Sequence, residues 1–281
     1  MLQNPQCYDL HSHTTASDGL LSPTQLVQRA VANGVDVLAI TDHDSINGIE
    51  EARAAISHFQ LPLTLINGVE ISTNWRNYDI HIVGLNIDTT HDGLTNFLNN
   101  QAQLRVQRAI EISDKLAKIG IANVYEHALQ YAQGDIVSRA HLARYLVDIG
   151  LVKDIGKAFK QYLGKGKKAY IAPGWQSIEA AIAIIHAAGG QAVLAHPARY
   201  DMTNTKLKKL LTEFKLAGGD AIEVSQSRQS ADEFYMLAKY AIEYGFLASR
   251  GSDFHAIEGY LDLGRTMPLS ENVMPIWHNW S

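Results

Sequence analysis

The sequence has very little cysteine: Cys7 is the only one among 281 residues. A disulfide within the chain is therefore excluded, and we expect the reducing cytoplasm as its location. No helix start or basic group stands beside Cys7 to activate its sulfur. We interpret this residue as a small buried apolar side chain rather than a nucleophile.

Long hydrophobic runs are also missing. Residues 1–6 contain no basic segment followed by an apolar stretch, so we expect no secretory signal. The most apolar stretch, residues 180–195, is interrupted by His186 and by two glycines and is too short to cross a bilayer. We therefore expect no membrane association. The hydrophobic fraction of 46% is that of an ordinary globular core.

Positive charge is in the minority, since the net charge is −5. This balance argues against a general nucleic-acid coat protein. Residues 101–168, however, hold 12 of the 24 Lys and Arg residues and only 6 Asp and Glu residues, a net charge of +6. This basic segment is either a surface for phosphate groups or a solvated helical surface without a partner, and the charge count leaves both open.

Predicted strands and helices alternate along most of the chain. Residues 35–41 form an almost wholly apolar strand, which is typical of a parallel sheet with both faces covered. Ser22 followed by proline predicts the start of the first helix, and residues 46–59 predict the second. About seven strands follow this scheme, which favours an α/β fold of the (β/α) barrel type. A doubly wound open sheet is the alternative, although no glycine-rich phosphate loop follows a strand.

Residues 92–168 break this alternation. Apolar residues recur there at helical spacing and no strand is predicted, while Ser138 is a plausible N-cap for a helix over residues 139–144. We predict a helical insertion or cap within a single domain that spans residues 1–281.

Histidines and carboxylates cluster at the ends of the predicted strands. His11 and His13 alternate at the end of the first strand, so that their side chains share a face. The others of this kind are residues 42–44, Glu70, His196, Asp253 and His255, while His81 lies within a predicted strand. Because the carboxyl ends of parallel strands meet at one face of a barrel, these side chains are expected to share a pocket. Each alone has an ordinary structural explanation, but so many ionisable groups in one place are costly to bury without cations.

These motifs resemble those of the PHP (polymerase and histidinol phosphatase) family. The matching segments are His11-x-His13, Asp18, residues 41–44, residues 68–70, residues 195–197 and residues 251–255. They extend from residue 8 to about residue 265. Residues 8–19, 38–44 and 81–87 are most similar to a bacterial branch without a polymerase segment. That branch removes the 3′-phosphate of 3′,5′-nucleoside bisphosphates and trims RNA from its 5′ end.

The resemblance implies a distorted (β/α)7 barrel with three divalent metal ions. His11, His13, Glu70 and Asp253 would bind the first metal; Glu70, His81 and His196 the second; Asp18, His43 and His255 the third. The mixed nitrogen and carboxylate ligands suit Mn²⁺, Zn²⁺ or Fe²⁺ better than Mg²⁺ or Ca²⁺, and the family branch favours Mn²⁺. The expected nucleophile is a metal-bound hydroxide, with no protein nucleophile.

Several basic and aromatic residues are candidates for substrate binding. Arg139 and His141, at a predicted helix N-terminus, and Arg199, after the fifth strand, are candidate phosphate contacts, with a solvated surface as the alternative. Lys165, Lys167 and Lys168 are either contacts to a longer RNA or a solvated loop. Trp75 and Tyr78 are candidates for stacking on a base, although Trp75 fits a packing role equally well.

Together these features predict a metal-dependent phosphoesterase that acts on 3′,5′-nucleoside bisphosphates or short RNA 5′ ends, with no obligate protein partner. A phosphatase of the histidinol-phosphate kind is one alternative. A metal-binding scaffold without activity is the other, although the full ligand set argues against it.

Overall fold

Seven strands lie side by side in chain order in the computed structural model, which describes residues 6–132, 137–257 and 261–280. The strands are β1 (Tyr8–Asp9), β2 (Val37–Ile40), β3 (Thr64–Trp75), β4 (Tyr78–Leu85), β5 (Gln191–Leu194), β6 (Ala221–Gln226) and β7 (Leu247–Gly251). Each of the predicted strands is present.

The sheet curves until its last strand meets its first. The amide of Leu10 donates to the carbonyl of Arg250 at 3.0 Å, and the amide of Asp253 donates to the carbonyl of His11 at 2.8 Å. These bonds join the segments after β1 and β7 and nearly close a barrel. The predicted distorted barrel is confirmed, and a doubly wound open sheet does not fit this strand order.

One strand runs against the others. β4 is antiparallel to both β3 and β5, a departure from the all-parallel strands of a regular (β/α) barrel. The reason is the connection: Arg76 and Asn77 alone join β3 to β4, and a parallel crossover needs a dozen or more residues. As a consequence, the start of β4 lies at the end of the barrel where its parallel neighbours finish.

Five helices accompany the parallel strands: α1 (Pro23–Ala32), α2 (Ile49–His58), α7 (Ile178–Ala187), α8 (Asn204–Leu216) and α9 (Ala231–Tyr244). Ser22 caps α1 through a capping box, as predicted. Helix α2 begins at Ile49, three residues later than Ile46, the predicted start. No helix in the described part of the chain is long and apolar enough to cross a membrane.

The segment between β4 and β5 is helical, as expected. It contains α3 (Asp92–Ala117), α4 (Val124–Ala128), α5 (Arg139–Asp148) and α6 (Ile155–Ala158), while residues 133–136 lie outside the described residues. These helices have their own apolar core, which includes Ile112, Leu142 and Leu146. Ser138 caps α5, in agreement with the sequence pattern.

The pleat of the strands divides the main core into two parts. In β2, Val37 and Ala39 point into the barrel, while Leu38 and Ile40 pack against the surrounding helices. The interior is filled by small and branched apolar side chains such as Val83 and Val193. A packed interior leaves only the ends of the barrel for polar chemistry.

Candidate metal centre

Glu70 lies at the centre of a group of histidines. Its carboxylate is completely buried, in the middle of β3. Oε1 lies 3.0 Å from His81 Nδ1, 3.0 Å from His196 Nε2 and 3.3 Å from His11 Nε2. Oε2 lies 2.8 Å from His43 Nδ1 and 3.4 Å from His13 Nε2. Five imidazoles from four different regions of the sequence therefore converge on one carboxylate.

His11 and His13 share a face, as the alternation predicted. Their Nε2 atoms are 3.1 Å apart, and both rings are fully buried. Asp253 lies on the other side of the pair, with Oδ1 at 3.4 Å from His11 Nε2 and 3.2 Å from His13 Nε2. The two rings and the carboxylates of Glu70 and Asp253 face one small space, which is the arrangement of ligands around an ion.

A second group of side chains, around the carboxylate of Asp18, lies beside the group around Glu70. Asp18 Oδ1 lies 3.3 Å from His255 Nε2 and 3.8 Å from His43 Nε2. The ring of His255 also stacks on that of His13, with centroids 4.0 Å apart. Asp18, from the loop after β1, thus meets residues that follow β2 and β7.

The backbone at these positions is unusual. His196 and Asp253 have φ angles of 33° and 52°, in the left-handed region that side chains other than glycine seldom adopt. Both follow the end of a strand and turn their side chains toward the cluster. Such strain persists where the surroundings over-determine it, and it is common at functional sites.

The carboxylates of the cluster are held in the ionised form. Burial alone would raise the pKa of Glu70, but the charges of His43, His81 and His11 lower it well below its usual range. Burial alone would likewise raise the pKa values of Asp18 and Asp253. The charges of His43 and His255 lower the pKa of Asp18 well below its usual range, and those of His11 and His255 do the same for Asp253. Three ionised oxygen donors are therefore available to a cation.

The imidazoles differ from one another in protonation. Burial lowers the pKa of His13 to about 3, and the neighbouring His255 and His43 contribute to this shift. Burial also opposes the charged form of His255, but Asp18 and Asp253 raise its pKa to about 10. At neutral pH, His13 is therefore uncharged, whereas His255 is protonated and would have to lose its proton to bind a cation.

The cluster can bind metal ions. Three groups have donor atoms within 4.8 Å of one another: His11, His13 and Glu70; His43, Glu70 and His81; His13, Asp18, His43 and His255. Glu70 Oε2, His43 Nδ1 and Asp18 Oδ1 are buried and contact oppositely charged neighbours, but none of them forms a hydrogen bond of regular geometry among the described residues. Buried polar atoms are nearly always paired, so these atoms fit metal ligands.

These groups overlap with the ligand sets that the sequence resemblance implied. They differ in each set: Asp253 is absent from the first, His43 joins Glu70 and His81 in place of His196 in the second, and His13 is added to the third. The contact of His196 with Glu70 Oε1 at 3.0 Å still brings it to the same oxygen. All nine side chains predicted as ligands are therefore neighbours in the structure.

The prediction missed Glu223, which supports the cluster from behind. Its Oε1 lies 2.6 Å from His11 Nδ1, and its Oε2 accepts from the amide of His196 at 2.6 Å. Carboxylates that bind the second nitrogen of a ligand histidine fix its orientation and increase its basicity. The signal in the sequence was a single glutamate inside the otherwise apolar residues 221–224.

Asp42 and Asp44, beside His43, have structural partners. Asp42 accepts from the amide of Thr14 at 2.7 Å and from Ser17 Oγ at 2.5 Å, so it holds the loop that carries Asp18. Asp44 accepts from the amide of Ser72 at 2.9 Å and forms an ion pair with Arg105.

Two predicted phosphate contacts lie on α5. Arg139 donates to Asp79 at 3.2 Å and lies over the Phe159 ring, next to Asp18 and His43 in the lining of one pocket. His141 is buried, and its Nδ1 accepts from the amide of Ser138 as part of the helix cap. Only its second ring nitrogen remains for another contact.

The third predicted contact, Arg199, follows His196. Its guanidinium pairs with Asp253 and also donates to the carbonyl of Ser227 at 3.1 Å. It lies in a second pocket that Asp253 and His255 also line. Arg199 is therefore at the edge of the cluster, in a different pocket from the one that Arg139 lines.

The candidates for base stacking have other partners. Trp75 is 6% exposed and its indole donates to Glu213, which supports the packing role. Tyr78 has two lysines beside it: the ammonium groups of Lys165 and Lys206 lie 5.3 and 5.4 Å from the centroid of its ring, and Lys206 donates to its hydroxyl at 2.9 Å. Lys165 also donates to the carbonyl of Asn77, so it joins the helical segment to the β3–β4 turn. Lys167 and Lys168 carry no contact that bears on a role.

The chain is similar to known proteins over nearly its whole length. The PHP domain model matches residues 9–216. A 5′-3′ exoribonuclease from Haemophilus influenzae is 52% identical over 273 residues, which cover 97% of this chain and 98% of the relative. A 3′,5′-nucleoside bisphosphate phosphatase from Chromobacterium violaceum is 42% identical over 271 residues, 96% of this chain and 94% of the relative.

A solved structure agrees with the fold. An amidohydrolase from Chromobacterium violaceum, determined with bound sulfate and no metal, superposes with a TM-score of 0.90. It is 41% identical and covers 96% of this chain and 94% of its own. The resemblance that the sequence motifs suggested is therefore confirmed, and this chain belongs to the PHP domain family.

Proposed function

We propose that this protein is a metal-dependent phosphoesterase that removes the 3′-phosphate from 3′,5′-nucleoside bisphosphates and shortens RNA from its 5′ end. The observation that carries the proposal is the convergence of five imidazoles on the buried carboxylate of Glu70, with Asp18 and Asp253 beside them. The names of the relatives from Haemophilus influenzae and Chromobacterium violaceum supply the substrate class.

Three divalent metal ions would occupy this cluster, with Mn²⁺ favoured over Zn²⁺ and Fe²⁺. His11, His13, Glu70 and Asp253 would hold the first, Glu70, His81 and His196 the second, and Asp18, His43 and His255 the third. When bound, metals in such a site activate water at neutral pH and stabilise the charge of a phosphoryl group. The buried donor atoms that form no hydrogen bond of regular geometry support this assignment.

The protein residues around the metals would orient ligands and substrate. Glu223 fixes the ring of His11 and the backbone of His196 through its two oxygens. Arg139, His141 and Arg199 would contact phosphate oxygens, since guanidinium and imidazole N–H groups suit such acceptors. The chain would work as one domain, with residues 92–168 as a cap beside the site.

The proposed activity also implies which molecules the protein binds and where in the cell it works. Nucleoside bisphosphates and RNA 5′ ends are the partners that the proposal requires, and no protein partner is needed. The single cysteine and the lack of a membrane-spanning helix in the described residues are compatible with the expected cytoplasmic location.

Phosphate release from the purified protein tests the proposal. The protein is supplied with Mn²⁺ and offered adenosine 3′,5′-bisphosphate, histidinol phosphate or a short RNA with a 5′-monophosphate and a labelled 3′ end. We expect release from the bisphosphate and stepwise shortening of the RNA from its 5′ end. Preference for histidinol phosphate would replace the nucleotide assignment, and inactivity on all three with metal bound would indicate a scaffold.

A further inference from the structure

A tyrosine hydroxyl interrupts the pairing of β4 with β5 at the edge of the metal cluster. The last paired residues of this antiparallel ladder are Ile82 and Leu194, and the next two in register are His81 and Ala195. Opposite residues at such a position normally exchange two N–H···O bonds. The amide of Ala195 donates to the carbonyl of His81 at 3.1 Å, so the first of these two bonds is present.

The second bond passes through Tyr200. The amide of His81 donates to the hydroxyl oxygen of Tyr200 at 3.0 Å, and this hydroxyl donates to the carbonyl of Ala195 at 2.9 Å. The side chain of Tyr200 comes from the turn after β5 and packs against the buried apolar residues between the sheet and its helices. One hydroxyl group therefore satisfies both backbone groups that the opened ladder would otherwise leave unpaired.

The ladder opens where the chain turns out of β5. Strand alternation places His81 and Ala195 on the face that points into the barrel. By the same alternation His196 would point the other way, but its φ of 33° and ψ of 54° turn its ring toward Glu70. The carbonyl that Tyr200 binds belongs to Ala195, the residue directly before this turn. The hydroxyl is thus located where the extended strand gives way to a left-handed residue.

The two histidines on either side of this opening meet at one oxygen atom. His81 Nδ1 and His196 Nε2 each lie 3.0 Å from Glu70 Oε1, and the centroids of the two rings are 5.2 Å apart. The ring of Tyr200 also lies edge to face with the ring of His196, with centroids 5.4 Å apart. Tyr200 therefore contacts the backbone of one of these histidines and the ring of the other.

We propose that Tyr200 is a positioning residue for the second metal ion, because its hydroxyl holds β4 and the end of β5 at the spacing that brings His81 and His196 to Glu70. The inference rests on the proposed function, which assigns this ion to the same three side chains, and it adds the group that arranges them. The hydroxyl is engaged with two backbone groups, so it acts on the ion through the histidines. Contacts that orient metal ligands in this way commonly increase metal affinity.

The Tyr200→Phe variant tests the inference, since it removes the hydroxyl and keeps the ring. The amide of His81 and the carbonyl of Ala195 then lose their partner, and they regain one by closing into a direct hydrogen bond or by separating to admit water. Either movement displaces a ligand histidine from Glu70. When Mn²⁺ is titrated into the metal-free variant in a calorimeter, we expect one site to be weakened by about 10- to 100-fold and the other sites to keep the wild-type affinity.

Excess metal should rescue the activity of this variant. Phosphate release from adenosine 3′,5′-bisphosphate by Tyr200→Phe should be slow at a Mn²⁺ concentration that just saturates the wild type. It should return toward the wild-type rate when the Mn²⁺ concentration is raised about 100-fold, to match the weakened site. A hydroxyl that only stabilised the fold would lower the unfolding temperature of the variant without changing its dependence on Mn²⁺, and this result would overturn the inference.

Ser225→Ala is the matched control for the loss of a hydrogen bond. Ser225 is fully buried in β6, and its Oγ donates to the carbonyl of Met267 at 2.5 Å. This variant also loses a hydroxyl bound to a backbone carbonyl, so it should lose stability but bind Mn²⁺ with wild-type affinity at every site.

Three results would contradict these expectations. Wild-type Mn²⁺ affinity of Tyr200→Phe would overturn the inference and leave the proposed function intact. An equal weakening of Mn²⁺ binding in Ser225→Ala would also overturn the inference, because the loss of any buried hydroxyl in the sheet would then have the same effect. Absence of phosphate release from the wild-type protein with Mn²⁺ bound would overturn the proposed function itself.

Discussion

Glu223 joins two candidate metal ligands that lie far apart in the sequence, His11 and His196. Its Oε1 lies 2.6 Å from His11 Nδ1, and its Oε2 accepts the amide of His196 at 2.6 Å. The carboxylate is 1% exposed, so neither contact is weakened by solvent. Glu223 therefore determines both the orientation of one ring and the position of a strained backbone segment.

The Glu223→Gln variant should bind metal more weakly. The amide can still contact His11 or His196, but it lacks the charge that makes the ligand imidazole a stronger donor. Loss of such an outer partner reduces metal affinity or activity by about 10- to 100-fold. Calorimetric titration with Mn²⁺ measures the affinity. Glu179→Gln, at an exposed glutamate of α7, is the control, and equal affinity of the two variants would contradict this role.

Asp253→Asn should abolish activity while leaving the fold largely intact. The change keeps the size of the side chain but removes the negative charge of a carboxylate whose Oδ1, a proposed metal ligand, lies 3.2 Å from His13 Nε2. We expect a loss of about 1,000-fold or more in kcat, because a missing ligand disturbs the charge that stabilises the transition state. Phosphate release and circular dichroism are the measurements. Asp201→Asn, at an exposed position, is the control, and wild-type turnover of Asp253→Asn would refute the assignment.

Metal binding should release protons at pH 7. With its pKa raised to about 10 by Asp18 and Asp253, His255 is protonated in the metal-free protein, yet an imidazole must be neutral to bind a metal. The apparent affinity for Mn²⁺ should therefore increase as the pH rises toward 10. Calorimetry in buffers with different protonation enthalpies counts the protons. His255→Gln should release fewer, and a heat that does not depend on the buffer would contradict the prediction.

Gly251→Ala should destabilise the protein and disturb His11. A Cβ at this position would lie 2.3 Å from the Cβ of His11, and the backbone of His11 at 2.6 Å leaves no room to move. Overpacking of this kind costs about 1–3 kcal/mol. Thermal unfolding of the metal-free protein measures the loss. Gly174→Ala, whose new Cβ would meet only a leucine methyl at 3.8 Å, should unfold like the wild type. Equal stability of the two variants would contradict the argument.

The sequence by itself determined the fold class and identified the histidines and carboxylates that meet around Glu70. Apolar strands such as residues 37–40, helix caps such as Ser22 and the alternation of the two are local features, so they can be recognised without the fold. The placement of His11, His13 and His196 at strand ends was sufficient to predict that they meet. Nine residues predicted as ligands are indeed neighbours, because a barrel brings the ends of its strands together.

Only the tertiary structure decided the direction of β4, the contacts of Glu223 and the meeting of Arg105, Arg108 and Arg139 in one pocket. The direction of β4 depends on which residues pair across the short β3–β4 turn. Glu223 contacts His11, which is more than 200 residues away, and Arg105 and Arg108 of α3 line one pocket with Arg139 of α5. Such long-range contacts leave no periodic signal in one sequence, since they depend on the three-dimensional packing of separate elements.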